Sequence, residues 1–148
     1  MWYNLITIGV IKRLNLNNMS KTEIFGLHLM LDMYGCDPQL LNDANFLYTV
    51  LDDLPEKINM RKLTKPYLVT TPGNGQKDPG GWSGFVIIEE SHISVHTFVK
   101  RGFITIDVYS CQQFDTELAL SYFKEKFKSE DVEVYIQKRG LKYPAENI

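Results

Sequence analysis

Residues 82–110 read WSGFVIIEESHISVHTFVKRGFITIDVYS, and the periodicity of this stretch decides the fold. It divides into three strand-like runs, 82–89, 91–98 and 103–110, with Lys100-Arg101-Gly102 as a tight hairpin turn between the last two. In the third run Ile104, Ile106 and Val108 share one face, while Thr105, Asp107, Tyr109 and Cys111 share the other. Strands that follow one another through short turns pair antiparallel.

Upstream, residues 24–34 (IFGLHLMLDMY) alternate in the same way. Leu27, Leu29, Leu31 and Met33 take one face; His28, Met30, Asp32 and Tyr34 take the other. Asp37 is a good N-cap for a helix starting at Pro38. Leu40, Leu41, Ala44, Leu47, Val50, Leu51 and Leu54 recur at three- and four-residue steps, predicting one amphipathic helix over 38–54, limited by Pro55. Residues 61–70 read as a strand weakened at Pro66. Residues 71–81 (TPGNGQKDPGG) read as an exposed loop, and without a following GK[ST] helix its glycines make a poor phosphate cradle. Downstream, 115–127 reads as a helix with Leu118, Tyr122 and Phe123 on its apolar stripe, and 132–137 as a closing strand. The order predicts an α+β two-layer sandwich, a mainly antiparallel sheet with helices on one face. The helix-free face would carry His28, Asp32, His92, His96, Asp107 and Cys111, a polar gathering that points to a site or a subunit interface.

The chain has 148 residues, enough for one core. Sixteen Lys and Arg against eighteen Asp and Glu give a net charge of −2, which excludes a general basic footprint for nucleic acid. No stretch approaches a membrane span. The opening MWYNLITIGVI precedes Lys12 and Arg13, the reverse of a secretory signal. Residues 1–18 read either as an upstream extension, with Met19 as a second start, or as an added edge strand; 19–148 are the domain. Cys36 and Cys111 read as free thiols in a reducing cytoplasm. With three histidines and no CxxC pair, no metal site is expected.

Segment 87–96, IIEESHISVH, places two carboxylates, a serine and two histidines inside a strand-like run. Composition alone reads it as a half-exposed strand. Taken singly, Ser83, His96 and Cys111 read as a strand serine, a satisfied sheet histidine and a small buried hydrophobe. Residues 89–97, EESHISVHT, however, resemble the self-cleavage site of the bacterial and archaeal S-adenosylmethionine decarboxylases, E-S-H-[IL]-[ST]-[IV]-H-T. The similarity extends to Gly26-Leu27-His28, to 32–37 (DMYGCD) and to 106–111 (IDVYSC), in matching order across 24–137.

The resemblance implies autocatalytic cleavage between Glu90 and Ser91, giving a β chain (1–90) and an α chain (91–148) that begins with a pyruvoyl group made from Ser91. The chemistry is intelligible by itself. The Ser91 hydroxyl attacks the Glu90 carbonyl and turns the amide into an ester; loss of the Ser91 Cα proton expels the Glu90 carboxylate; the dehydroalanine left behind hydrolyses to pyruvoyl and ammonia. This needs a base near Cα and a donor to the oxyanion. By family spacing His96 is the processing base, Ser83 a second processing residue and Cys111 the later proton donor. The pyruvoyl ketone is implied to condense with the substrate amine and to accept the electrons released by decarboxylation.

The family run continues H-T-W-P-E, whereas this chain reads His96-Thr97-Phe98-Val99-Lys100. Phe98 keeps an aromatic for adenine, Trp82 is the nearest candidate for a second, and Lys100 replaces the ribose-binding glutamate. The resemblance implies S-adenosylmethionine as substrate, for spermidine synthesis. Arginine or ornithine on the same scaffold, or an uncleaved binding homologue, are the alternatives. It also implies a homodimer of cleaved protomers with sites near the interface. Ser91 and His96 are five apart and so fall on opposite faces of a regular strand, which predicts an irregular backbone at 89–92 that brings Ser83 and His96 within about 7 Å of Ser91 Cα.

Overall fold

Alternation fixes the sheet. In β1 (Gly26–Tyr34) Leu29, Leu31 and Met33 are fully buried while their neighbours His28, Met30 and Asp32 stay part-exposed. β3 (Gly81–Ile88), β4 (Ser91–Phe98) and β5 (Phe103–Ser110) repeat the pattern. With β2 (Tyr67–Thr71) and β6 (Asp131–Arg139) they form one sheet in the order β2-β3-β4-β5-β1-β6, every pair antiparallel. The computed structural model describes residues 24–129 and 131–148, so the readings made for 1–18 fall outside the described residues.

The apolar face packs beneath α2 (Ala44–Lys57) and α3 (Thr116–Phe127). Leu47, Val50, Leu51 and Leu54 meet the sheet from α2, and Ala119, Phe123 and Phe127 from α3. Each of the larger of these side chains contributes on the order of 1.5–3 kcal/mol of transfer free energy. This is the α+β sandwich that the sequence predicts. Among the described residues no helix is long and apolar enough to cross a membrane.

Four local expectations are corrected. The helix over 38–54 is two helices, α1 (Pro38–Leu41) and α2, because Asp43 caps a fresh helix by accepting from the Asn45 and Phe46 amides. Pro55 lies inside α2 rather than ending it, since proline withdraws only its own donor and its carbonyl still accepts from Met60. The strand over 61–70 starts only at Tyr67, past Pro66, leaving Lys62 a lone bridge to Ile88. Leu118 faces solvent; the inward stripe of α3 is Thr116, Ala119, Tyr122, Phe123 and Phe127. The β4–β5 turn is a short 3₁₀ segment, Val99–Arg101, closed by Gly102 at φ 57°, where a Cβ would stand 3.1 Å from the Cys36 carbonyl oxygen.

Candidate active site

β3 and β4 form a hairpin whose register runs from Ser83 opposite His96 to Ile88 opposite Ser91. Glu89 and Glu90 alone make the turn, so the Glu90–Ser91 peptide sits at the hairpin tip. The irregularity expected at 89–92 is this turn, and Ser91 leaves it at φ 158°. The tip is tethered from outside the hairpin. The Glu89 amide donates to the Arg61 carbonyl at 2.9 Å, and the Arg61 guanidinium holds the Glu89 carboxylate at 2.6 and 2.8 Å. Hydrogen bonding from Arg61, aided by its charge, lowers the Glu89 carboxyl below its ordinary range.

Two contacts surround the Glu90–Ser91 peptide. The Cys111 amide donates to the Glu90 carbonyl oxygen at 3.1 Å, which β5 permits by pairing Ser110 with Ser91. The Ser91 hydroxyl lies 3.0 Å from His92 Nδ1. One carboxylate oxygen of Glu90, Oε2, is buried with no partner among the described residues.

The other end of the hairpin holds the remaining family-matched residues. Ser83 Oγ and His96 Nδ1 are 2.5 Å apart, cross-strand partners on the open face. The Phe98 ring stands edge-on to His96 at 4.5 Å between centroids. Asp78 Oδ2 lies 3.6 Å from His96 Nε2, in ion-pair range when the imidazole is protonated. Asp78 reaches there because the loop is built rather than loose: Asn74 Oδ1 accepts from the Gln76 and Asp78 amides, and Asp78 Oδ1 accepts from Gly80. A cleft of about 430 Å³ opens beside this pair, lined by Tyr67, Val69, Ser83, Phe85, Ser94 and His96. Trp82 is not in it; its side chain packs against the core on the opposite face from Ser83.

The two ends do not meet within one chain. Five residues at about 3.3 Å each put about 16 Å of strand between Ser91 and His96. The expected approach of Ser83 and His96 to within about 7 Å of Ser91 therefore fails in the protomer, because the turn reverses the chain at Ser91 instead of bulging it toward His96. The two cysteines also separate. Cys36 is buried, and burial pushes its thiol up to about 11, whereas Cys111 is exposed beside the Glu90–Ser91 peptide.

Several participants escape sequence reasoning. The Cys111 amide is main chain and has no residue signature. Asp78 sits in a segment whose glycines and prolines read as exposed loop, although its Asn and Asp spacing is a turn signal. Tyr67 and Phe85 are exposed aromatics, paired at 5.7 Å, that only the β2–β3 register brings to the cleft.

An open antiparallel sheet backed by helices, with a Glu-Ser turn and a main-chain amide on the Glu90 carbonyl at one hairpin tip, defines an α+β two-layer fold with a candidate active site. The profile of the family described as S-adenosylmethionine decarboxylase matches residues 27–140, and the chain belongs to that family. An S-adenosylmethionine decarboxylase proenzyme of Pyrobaculum islandicum is 34% identical over 120 residues, covering 80% of this chain and 90% of its own. The proenzyme of Pyrococcus horikoshii is also 34% identical over 120 residues, 80% of this chain and 81% of its own. Among solved structures, the adenosylmethionine decarboxylase of Aquifex aeolicus superposes with a TM-score of 0.67 at 26% identity, covering 80% and 92% of the two chains.

Proposed function

We propose that this chain is a proenzyme that cleaves itself between Glu90 and Ser91 and then decarboxylates S-adenosylmethionine, supplying the aminopropyl donor for spermidine. The observation that carries the reading is the Cys111 amide on the Glu90 carbonyl with the Ser91 hydroxyl beside it. A donor already aimed at that oxygen favours the tetrahedral anion formed when Ser91 attacks, and hence the ester.

The residues fit a pyruvoyl group made from Ser91, since the serine opens β4 just after a half-buried turn, and the paired strands on either side hold both fragments in the sheet once the bond breaks. That group supplies the electron sink for decarboxylation. Around it, Cys111 is the exposed thiol placed to give the proton, and Cys36 is buried and stays protonated. Phe85 and Tyr67 offer aromatic faces for adenine in a cleft whose size suits a nucleoside-sized molecule, while Phe98 lies outside that lining and packs edge-on to His96. Lys100 stands exposed beyond Phe98, so the ribose hydroxyls must be met by other groups. Both cysteines are free, in keeping with the cytoplasm.

The working form is a homodimer. The open face carries Phe85, Phe98, Phe103 and Tyr67 among its polar groups, and Phe85 and Tyr67 are strongly exposed. A two-fold axis that sets one tip against the far end of the other hairpin sets the second tip likewise, because an isologous contact is reciprocal. Ser83 and His96 of the second copy then reach Ser91, whose own His96 cannot. There His96 accepts the Cα proton at Nε2, its Nδ1–H donating to Ser83, and the Asp78 carboxylate 3.6 Å from Nε2 favours the imidazolium that forms.

Intact-mass spectrometry on purified protein, with CO₂ release measured separately from S-adenosylmethionine, arginine and ornithine, tests this. We expect two fragments of 90 and 58 residues and release from S-adenosylmethionine. Release from a basic amino acid would move the substrate, and a full-length chain that releases nothing would leave a binding homologue.

A further inference from the structure

We propose that His92 is the base that takes the Ser91 hydroxyl proton in the first step of self-cleavage, a step distinct from the one assigned to His96. The assignment rests on the self-cleavage reading. Neighbouring side chains of a regular strand point to opposite faces, so residues 91 and 92 should not meet. They do here because Ser91 is the residue at which the chain leaves the turn: its hydroxyl lies 3.0 Å from His92 Nδ1, within reach for proton transfer. Along the strand His96 is about 16 Å away.

His92 is also held in place. It pairs with Ile87 on one side and Tyr109 on the other, and its ring packs against the Tyr109 ring at 6.0 Å between centroids. Tyr109 is fixed in turn by His28 at 5.6 Å and by the Arg139 guanidinium 4.3 Å from its centroid. Gly26 makes room for it, since a Cβ there would come within 2.9 Å of the phenol. A base whose ring is locked on its far side keeps one nitrogen facing the hydroxyl.

The step balances within the chain. Nδ1 accepts the hydroxyl proton as Oγ bonds to the Glu90 carbonyl carbon, and the oxyanion is met by the Cys111 amide. Collapse breaks the bond from that carbon to the Ser91 nitrogen, which takes the proton back from Nδ1–H. The product is an ester and a free amine, with no other reactant. The later loss of the Cα proton and of the Glu90 carboxylate does not involve His92.

Cleavage of freshly purified full-length chain, followed by intact mass, tests the assignment with His92→Ala, His92→Gln and the double variant Ser91→Cys/His92→Ala. Both single variants should cleave about 10²-fold or more slowly, and added imidazole should speed His92→Ala. Hydroxylamine should not cleave them, because the block lies before the ester. A thiol ionises far more readily than a hydroxyl, so the double variant should cleave within about tenfold of Ser91→Cys alone, which also shows that loss of His92 leaves the fold intact. Single variants that cleave at the wild-type rate, or that hydroxylamine splits, overturn the assignment and leave self-cleavage standing. A double variant that stays whole while Ser91→Cys cleaves makes His92 structural and overturns it too. A wild-type chain that never cleaves removes the self-cleavage reading itself, and this assignment with it.

Discussion

The two ends of the β3–β4 hairpin are built from similar materials, and the proposed function gives them different steps. The tip holds a serine, a histidine and a main-chain donor around a peptide bond in the same chain. The far end holds a serine, a histidine and a carboxylate in contact with one another and with nothing to react on, opening instead to a cleft. The difference is one of turn length. A two-residue turn at Glu89–Glu90 pins the register so that Ser83 lands opposite His96, which perfects the far pair and holds it away from the tip. A strand cannot present both ends to one point, so a site that needs both has to draw on a second strand from outside the chain.

That contrast has a sharp test. Ser91→Ala removes the nucleophile proposed at the tip, and His96→Ala removes the base proposed at the far end. Each alone should leave the chain without the pyruvoyl-terminated fragment, a loss of at least about 10³-fold for the serine. Co-expressed, the Ser91→Ala chain should rescue cleavage of the His96→Ala chain, because a protomer with an intact Ser91 borrows His96 from its Ser91→Ala partner. Mass spectrometry should then find only the His96→Ala chain cleaved. Cleavage absent from the mixed population, with mixed dimers present, would break the division of labour between the two ends.

Much of this is legible in the sequence. The helix-side alternation of Leu29, Leu31, Met33 and of Ile104, Ile106, Val108 is a backbone period written directly in residue types, so the sheet and its two faces are predictable. The helix boundary at Asp43 is not, because an unbroken apolar period hides a cap, and a short side chain rather than a missing hydrophobe ends α1. The site residues are recognisable by spacing, yet spacing along a chain carries no information on which side of a turn each one falls. The distance between Ser91 and His96 depends on pairing, and the Cys111 amide on where β5 stops. Trp82 shows the same limit: one residue of parity separates the core from the cleft.

A smaller effect sharpens the far end. Asp78→Asn retains an oxygen to accept from the Gly80 amide, so the loop should keep its form, but it removes the charge facing His96 Nε2. The pair is part-exposed at 28% and 24%, and its loss should slow the Cα-proton step by about fivefold. Because the ester forms before that step, a hydroxylamine-sensitive chain should accumulate transiently in this variant. A slowed variant with no such accumulation would mean that Asp78 acts on the fold or on the tip, and the contrast between the ends would weaken.

The smallest effect belongs to the tether at the tip. Arg61 and Glu89 form a two-pronged pair, but both side chains are well exposed, at 68% and 51%, so solvent screens most of its strength. Arg61→Gln should slow self-cleavage by only about twofold at neutral pH, through a looser turn. The pH dependence distinguishes this from a general loss of stability. Hydrogen bonding from Arg61 holds the folded Glu89 carboxyl below its unfolded value. Its contribution is therefore complete above the ordinary carboxylate range and disappears as pH falls through the lowered folded value. Melting temperatures of uncleavable Ser91→Ala chains, with and without Arg61→Gln, should differ slightly at neutral pH and converge in acid. A difference that stays constant, or grows, as pH falls would show that the guanidinium holds the tip through something other than Glu89.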